Sequence, residues 1–285
     1  MEKTEKLYDD KIREFLKEDL GYGDITSQSL IPVNQSAKAV LYFKEDGVTS
    51  GLEEASRVFN ILGCVVTTLV LDGVKVKART PLLIVEGKAR ALLSGERVAL
   101  NIVGRMAGIA TATSKVIEMT TPVNPLVRIA ATRKTVPGLR LLDKKAVIHG
   151  GGDPHRFGLD DCVLIKDNHL ELVPSITEAV ETVRKAVSFT KKIEVEVRTE
   201  DEALEAALAG ADIIMFDNMP PDKIKSCFVT LDSKNLKEGH IFEASGGVTM
   251  INVVEYASSG VDVISMGALT HSVRSLDVKL EIEMV

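Results

Sequence analysis

The sequence predicts an α/β protein built in two parts, an α+β module followed by a parallel α/β sheet of the barrel type. Three observations predict it. Short helical and strand patterns mix irregularly before Ser94. A single long helical pattern then runs from Ser94 to Met119. Beyond it, six short apolar or β-branched runs alternate with helical stretches, and alternating β and α units imply a parallel sheet.

Each element has its own signal. Apolar positions at helical spacing between Leu7 and Leu20 predict a first helix in a charged, amphipathic stretch. The run AKAVLYF (37–43) predicts a strand, and GLEEASRVFNILG (51–63) a helix closed by Gly63. Three more strands are expected in VVTTLVL (65–71), KVKA (75–78) and PLLIVEG (81–87). In the long helix Val98, Ile102, Ile109, Thr113 and Val116 follow helical spacing. Gly104, Gly108 and Ala112 form a second stripe of small residues that lets another backbone come close, read here as tight packing. That helix reads as a bridge or an interface element. The six later runs are LVRIAA (126–131), CVLI (162–165), KIEVEV (192–197), DIIMF (212–216), IFEA (241–244) and VDVISM (261–266). Between them, the capping boxes Ser175-x-x-Glu178 and Thr199-x-x-Glu202 mark helix starts.

Composition narrows the function. A chain of 285 residues, 45% hydrophobic and 27% charged, is long enough to bury a sizeable core. Its net charge of −6 and pI of about 5.5 argue against nucleic acid as the main partner, because phosphate backbones demand a basic surface. Cys64, Cys162 and Cys227 lie far apart without metal-ligand spacing, so neither a disulfide framework nor a zinc site is indicated. The N-terminus lacks the apolar core of a signal peptide and no long apolar run follows. A cytoplasmic protein without a membrane partner is expected.

The chemistry falls where the strands end. Thr132-Arg133-Lys134, Lys166-Asp167-Asn168, Glu196, Asp217-Asn218, Ser245-Gly246-Gly247 and Gly267 follow the six runs, and in (β/α) barrels the site is built from loops at the carboxyl ends of the strands. In KIEVEV, alternation places Ile193, Val195 and Val197 on one face and Glu194 and Glu196 on the other. With the apolar face toward the helices, both carboxylates face the barrel interior, where a charge needs a partner. Lys166 and nearby arginines are available; Glu194 reads as a structural ion pair or a ligand, and Glu196, nearer the strand's end, as a ligand. Arg133, Lys134, His155, Arg156 and Lys166 would gather four fixed charges and one imidazole in a small volume, an arrangement that repels itself unless an anion binds. Ser245-Gly246-Gly247 and Gly267 close the last two strands, where backbone N–H groups can reach a phosphate. HGGGDPHR (149–156) reads as a flexible approach to the His-Arg pair, with His149 in a loop.

EDLGYGDITS, GERVALNIVGRMAGIATAT, TRKTVPGLR, GGGDPHRFGL, LIKDNHL, IEVEV, MFDNM, EASGGV and ISMGALTHS, in this order and spacing from about residue 18 to the C-terminus, together closely resemble the quinolinate phosphoribosyltransferase family. The resemblance implies transfer of phosphoribosyl from phosphoribosyl pyrophosphate to the ring nitrogen of quinolinate, then loss of the 2-carboxylate. Nicotinate mononucleotide, pyrophosphate and CO2 would be the products, in NAD biosynthesis. It further implies Mg2+, a homodimer or higher homo-oligomer with sites shared across the interface, and an N-terminal α/β sandwich domain attached to an incomplete, TIM-like parallel α/β barrel. The sandwich is expected over 1–104, the barrel over 105–270, and the tail 271–285 against the sandwich.

Residue by residue, the resemblance places Arg133, His155, Arg156 and Lys166 in the quinolinate pocket with Thr132 beside them. Arg97, on the long helix, would reach the neighbouring subunit's site. Lys134 would lie between the two substrates. Glu196 and Asp217 would hold the ribose hydroxyls and organise Mg2+, and Ser245, Gly246, Gly247 and Gly267 would cradle the 5′-phosphate. Lys134, Lys166, Glu196 and Asp217 are thus the expected catalytic set. The sequence departs from the family's common form at Ala131 and at Asp153-Pro154, which bears on substrate affinity more than on reaction type.

Other readings remain at this level. A relative serving molybdate-linked transport genes would have an altered IKDNH segment, which is intact here. A nicotinate phosphoribosyltransferase would need fewer cations than Arg97, Arg133, Arg156 and Lys166 supply. A Schiff-base aldolase could use Lys166, and a non-catalytic anion binder would gain little from Glu196 and Asp217.

Overall fold

The computed structural model describes residues 2–284. The chain divides into two compact units, residues 1–112, 148–151 and 273–285 in one and residues 113–147 and 152–272 in the other.

The first unit begins with α1 (Glu2–Leu20) and a short α2 (Ile25–Leu30), whose N-cap is Asp24, accepting the Ser27 N–H at 2.9 Å. Then come β1 (Ser36–Phe43), β2 (Gly47–Val48), α3 (Leu52–Ile61), β3 (Val65–Thr68), β4 (Lys75–Val76), β5 (Pro81–Lys88) and the long α4 (Ala89–Thr120), whose last turns belong to the second unit. An antiparallel sheet runs in the order C-terminal strand (Val278–Met284), β1, β5, β3. Alternation in β1 buries Ala37, Ala39 and Leu41, while α3 buries Leu52, Ala55, Val58 and Phe59 along one stripe. Gly63 ends the helix as expected, with φ +82 and the Cys64 N–H donating to the Phe59 carbonyl.

Among the boundaries that differ from expectation, two have a visible cause. The β3 ladder ends at Thr68, with one further bond from the Leu69 N–H to the Leu82 carbonyl at 2.9 Å, because the opposing β5 begins at Pro81 and offers no partner to the residues beyond. Helix α4 begins at Ala89 instead of Ser94: Ala89 to Leu93 are strong helix formers, and Leu92 is fully buried. The small-residue stripe does admit another backbone. A Cβ on Gly108 would stand 2.3 Å from the Arg274 carbonyl oxygen, and one on Gly104 3.0 Å from that of Leu276.

The second unit alternates strand and helix, with two helices between β7 and β8: β6 (Arg128–Ala130), α5 (Arg140–His149), β7 (Val163–Ile165), α6 (Asp167–Leu170), α7 (Ile176–Ala186), β8 (Ile193–Val197), α8 (Glu200–Leu208), β9 (Ile213–Asp217), α9 (Pro221–Ser233), β10 (Ile241–Ser245), α10 (Val253–Ala257), β11 (Val263–Ser265) and α11 (Ala268–His271). All six expected strands form, paired in parallel in the order β6-β11-β10-β9-β8-β7. β6 and β7 are its edges, so the barrel is incomplete. A single parallel bridge, Ala130 to Asp153, lies on β6 as well. Both predicted caps are made: the Ser175 and Thr199 side chains accept the N–H groups of Glu178 and Glu202 at 3.1 and 3.2 Å. Phe216, Phe228 and Phe242 form an aromatic core cluster with centroids 4.9–6.0 Å apart. His149 is the last residue of α5 and not a loop residue; its Nδ1 bonds the Ser50 hydroxyl at 2.8 Å. No helix among the described residues is long and apolar enough to cross a membrane.

Candidate active site

Because the six strands are parallel, their carboxyl ends open on one side, and a cavity of about 330 Å³ lies there. Thr132, Arg133, Lys134, His155, Arg156, Lys166, Glu196, Asp217 and Ser245 all line it, nine of the residues expected from sequence, and all belong to the second unit. Gly246, Gly247 and Gly267 follow the last two strands. Gly246 and Gly247 have φ of +81 and +62, and a Cβ on Gly246 would meet the Asn218 side chain at 2.6 Å, so only glycine fits there. A Cβ on Gly267 would press to 2.9 Å from the Lys134 side chain. Arg97 is exposed on α4, in the first unit.

The charges are arranged as opposed pairs and one unmatched donor. Lys166 Nζ donates to Glu196 Oε1 at 2.8 Å. Arg198 binds Asp167 and approaches Asp217 Oδ2 at 3.5 Å, and the Asn218 amide donates to the other Asp217 oxygen at 3.1 Å. The Ser265 hydroxyl donates to that of Ser245 at 2.8 Å. Lys134 is placed by a short turn in which its N–H donates to the Thr132 hydroxyl at 3.0 Å. Arg133 stands apart: its Nε is shut off from solvent with no hydrogen-bond partner. Burial, with Arg156 and Arg140 nearby, pulls its guanidinium below its ordinary value. A buried cationic donor with nothing to bind is costly, and an anion in the cavity would satisfy it.

The floor of the cavity corrects one expectation. Glu194 is fully buried and does point inward, but its partner is neither Lys166 nor an arginine. His155 lies between two buried glutamates, its Nε2 3.2 Å from Glu243 and 3.7 Å from Glu194. Lys166, on the neighbouring strand end, is taken by Glu196. Both Glu194 oxygens and one of Glu243 lack hydrogen bonds. Burial and the neighbouring Glu243 push the Glu194 carboxyl above its ordinary value, His155 opposing. His155, which burial alone would depress, is pushed up to about 10 by the two carboxylates beside it.

Sequence reasoning missed Glu243, Arg198 and Ser265, all of which line the cavity. The signal for Glu243 was the one that exposed Glu194, a carboxylate inside an apolar strand. Arg198 and Ser265 follow or end barrel strands, the places already singled out.

Mg2+ takes oxygen donors and keeps several waters, binding through one or two carboxylates plus substrate phosphates. Glu196 and Asp217, on adjacent strand ends and both lining the cavity, offer that donor set. Among the described residues, the one group of three potential ligand side chains within 4.8 Å is His155, Glu194 and Glu243, whose nitrogen donor suits Mg2+ less well.

Comparison with known proteins agrees along nearly the whole chain. Residues 24–107 match the N-terminal domain of quinolinate phosphoribosyl transferase, and residues 109–281 its C-terminal domain. A probable carboxylating nicotinate-nucleotide pyrophosphorylase of Methanothermobacter thermautotrophicus is 45% identical over 96% of this chain and 98% of its own length. The carboxylating nicotinate-nucleotide pyrophosphorylase of Rattus norvegicus is 39% identical over 89% and 84%. Among solved structures, NadC from Streptococcus pyogenes superimposes with a TM-score of 0.91 at 35% identity, covering 97% of this chain and 96% of that one. A chain that matches both domains, and keeps this identity along nearly its full length, belongs to the quinolinate phosphoribosyl transferase family.

Proposed function

We propose that this protein transfers the phosphoribosyl group of phosphoribosyl pyrophosphate to the nitrogen of quinolinate and releases the 2-carboxylate as CO2, giving nicotinate mononucleotide and pyrophosphate in NAD biosynthesis. The observation that carries the reading is the cavity's charge pattern. Arg133, whose Nε is unpartnered, and Lys166 follow the edge strands β6 and β7, Arg156 joins them from the loop before β7, and carboxylates Glu196 and Asp217 lie on β8 and β9.

The chemistry asks for that division. Quinolinate is a dianion, and Arg133, Arg156, Lys166 and Thr132 bind its carboxylates so that the ring nitrogen faces the ribose carbon. Breaking the bond to pyrophosphate leaves positive charge on the ribose, which Glu196 and Asp217 stabilise while holding its hydroxyls. Lys134 neutralises the departing oxygens. Mg2+ held through Glu196 and Asp217 supplies further charge neutralisation of the pyrophosphate when bound. Ser245, Gly246, Gly247 and Gly267 receive the 5′-phosphate on backbone and hydroxyl donors. Once the nitrogen is quaternary, the pyridinium takes up the electrons released by decarboxylation, so no organic cofactor is required. His155 serves from the floor: paired with Glu194 and Glu243, it keeps two buried carboxylates from repelling the dianion above them. Arg97 completes the site from the partner of a cytoplasmic homodimer.

The test is product formation from quinolinate, phosphoribosyl pyrophosphate and Mg2+, with nicotinate in parallel. Equal amounts of CO2 and nicotinate mononucleotide from quinolinate alone are expected; turnover of nicotinate without CO2 would transfer the protein to the non-decarboxylating class. Turnover of neither, with borohydride trapping of a carbonyl substrate on Lys166, would favour the aldolase. Arg133→Ala is expected to weaken quinolinate binding by about 1.5–3 kcal/mol, the loss for one charged hydrogen-bonding partner, and to leave phosphoribosyl pyrophosphate binding much less changed. Calorimetry with each ligand separately checks it; equal losses would remove Arg133 from the quinolinate pocket.

A further inference from the structure

Lys144 is a lysine with no exposed surface, in the middle of α5 and outside the cavity. Its ammonium group donates to two backbone carbonyls, that of Pro154 and that of Arg156 at 2.7 Å, and lies 5.3 Å from the centre of the Phe157 ring. Those two carbonyls bracket a single residue, His155. His155 has φ +53, a left-handed conformation that a residue with a side chain adopts only when its surroundings hold it there. Asp153 supplies part of that hold, accepting the His155 N–H at 2.7 Å. Arg156 leaves the same turn and is itself buried, its guanidinium donating to the Cys162 carbonyl at 3.1 Å.

We infer that Lys144 is a positioning residue for the quinolinate end of the site, fixing the 154–156 turn so that His155 and Arg156 face the cavity. This rests on the function proposed above. Burying an ammonium costs stability that an apolar side chain of the same size would not, so what Lys144 contributes is the geometry of the carbonyls it binds. Pro154 stiffens the turn at φ but has no N–H with which to anchor it, and the lysine anchors it through the carbonyls instead. The environment is already hostile to a proton on the lysine: burial, with Arg140 and Arg156 near, lowers it to about 8. A neutral amine still carries two N–H donors for two carbonyls, so the clamp holds on either side of that pH.

The experiment compares the wild type with Lys144→Met, which keeps the length and loses the donors, and with Lys144→Ala assayed with and without ethylammonium. The expected result is a KM for quinolinate raised about tenfold or more with the KM for phosphoribosyl pyrophosphate within about twofold, and partial recovery of Lys144→Ala on adding the amine. A residue of merely structural importance would lower stability and affect both substrates alike. Lys144→Leu, which also lacks the donors, replaces Lys144→Met should the latter melt below the assay temperature. Quinolinate binding by calorimetry is measured on every protein, so the lysine is judged even without turnover. Unaltered quinolinate affinity in the variants, or equal effects on both substrates, overturns the role of Lys144; a wild type that binds quinolinate without turning it over overturns the proposed reaction and leaves the binding comparison standing.

Discussion

Mixing two inactive variants, Arg97→Ala and Lys166→Ala, is expected to restore activity to about a quarter of the wild-type level. The figure follows from the proposed two-fold dimer, in which each site would draw Arg97 from one subunit and Lys166 from the other. Free exchange makes about half of the dimers mixed, and each mixed dimer carries one site with both residues and one with neither. Alone, each variant is expected to lose about a hundredfold or more, since Arg97 would bind a substrate carboxylate and Lys166 lies within the cavity, where a removed charge is not replaced by water. Lys166 also neutralises Glu196 at 2.8 Å, so its loss leaves that carboxylate facing the dianion. The measurement is quinolinate turnover after the two proteins have been mixed under conditions shown by mass-tagged subunits to exchange. Exchange without recovery would place Arg97 and Lys166 in the same subunit's site, or Arg97 in none.

Much of this site was legible from sequence, for a physical reason that also sets the limit. A parallel sheet delivers every strand's carboxyl end to one side, so the positions after 130, 165, 197, 217, 245 and 265 converge whatever their separation in the chain. Strand existence needed only short apolar runs, and all six formed. Boundaries were less secure, because the end of β3 depends on where its partner begins and the start of α4 on packing of Leu92. What escaped was pairing. Glu194 announces itself as a charge in an apolar strand, yet its partner comes from a turn held in an uncommon conformation, and no periodicity encodes that. Asp153 has a local use in this fold: it bridges to β6 and accepts the His155 N–H. Lys144 looked like any helical lysine until its burial was seen.

The His155 cluster carries the larger stability prediction. Two influences on the imidazole oppose each other. The Arg156 N–H points at Nδ1 from 2.8 Å, which favours a neutral ring with its one proton on Nε2. Glu243 and Glu194, at 3.2 and 3.7 Å from Nε2, favour the imidazolium. One charge pair at that distance is worth on the order of 5 kcal/mol at an effective dielectric of about 20, against about 1 kcal/mol for a neutral hydrogen bond. The carboxylates win, in keeping with a value near 10 against an ordinary 6.5.

A folded-state value raised above the unfolded one means that the folded protein holds more protons between the two. The resulting stability is complete below pH 6.5 and is lost as pH rises toward 10, up to about 5 kcal/mol over the window. Lys144, lowered to about 8, works in the opposite sense at higher pH, because there the unfolded chain holds the extra proton. Between pH 6.5 and 8 His155 therefore acts without that opposition, and unfolding free energy from urea titrations is expected to fall by about 2 kcal/mol, with the slope easing above pH 8. His155→Asn should abolish the decline attributable to the imidazole. Imidazole nitrogen shifts give the independent reading: a ring that stays protonated through pH 8 agrees with the carboxylates in control, whereas titration near 6.5 with flat stability would show that the backbone N–H decides the tautomer and that a proton shared by Glu194 and Glu243 keeps the pair from repelling.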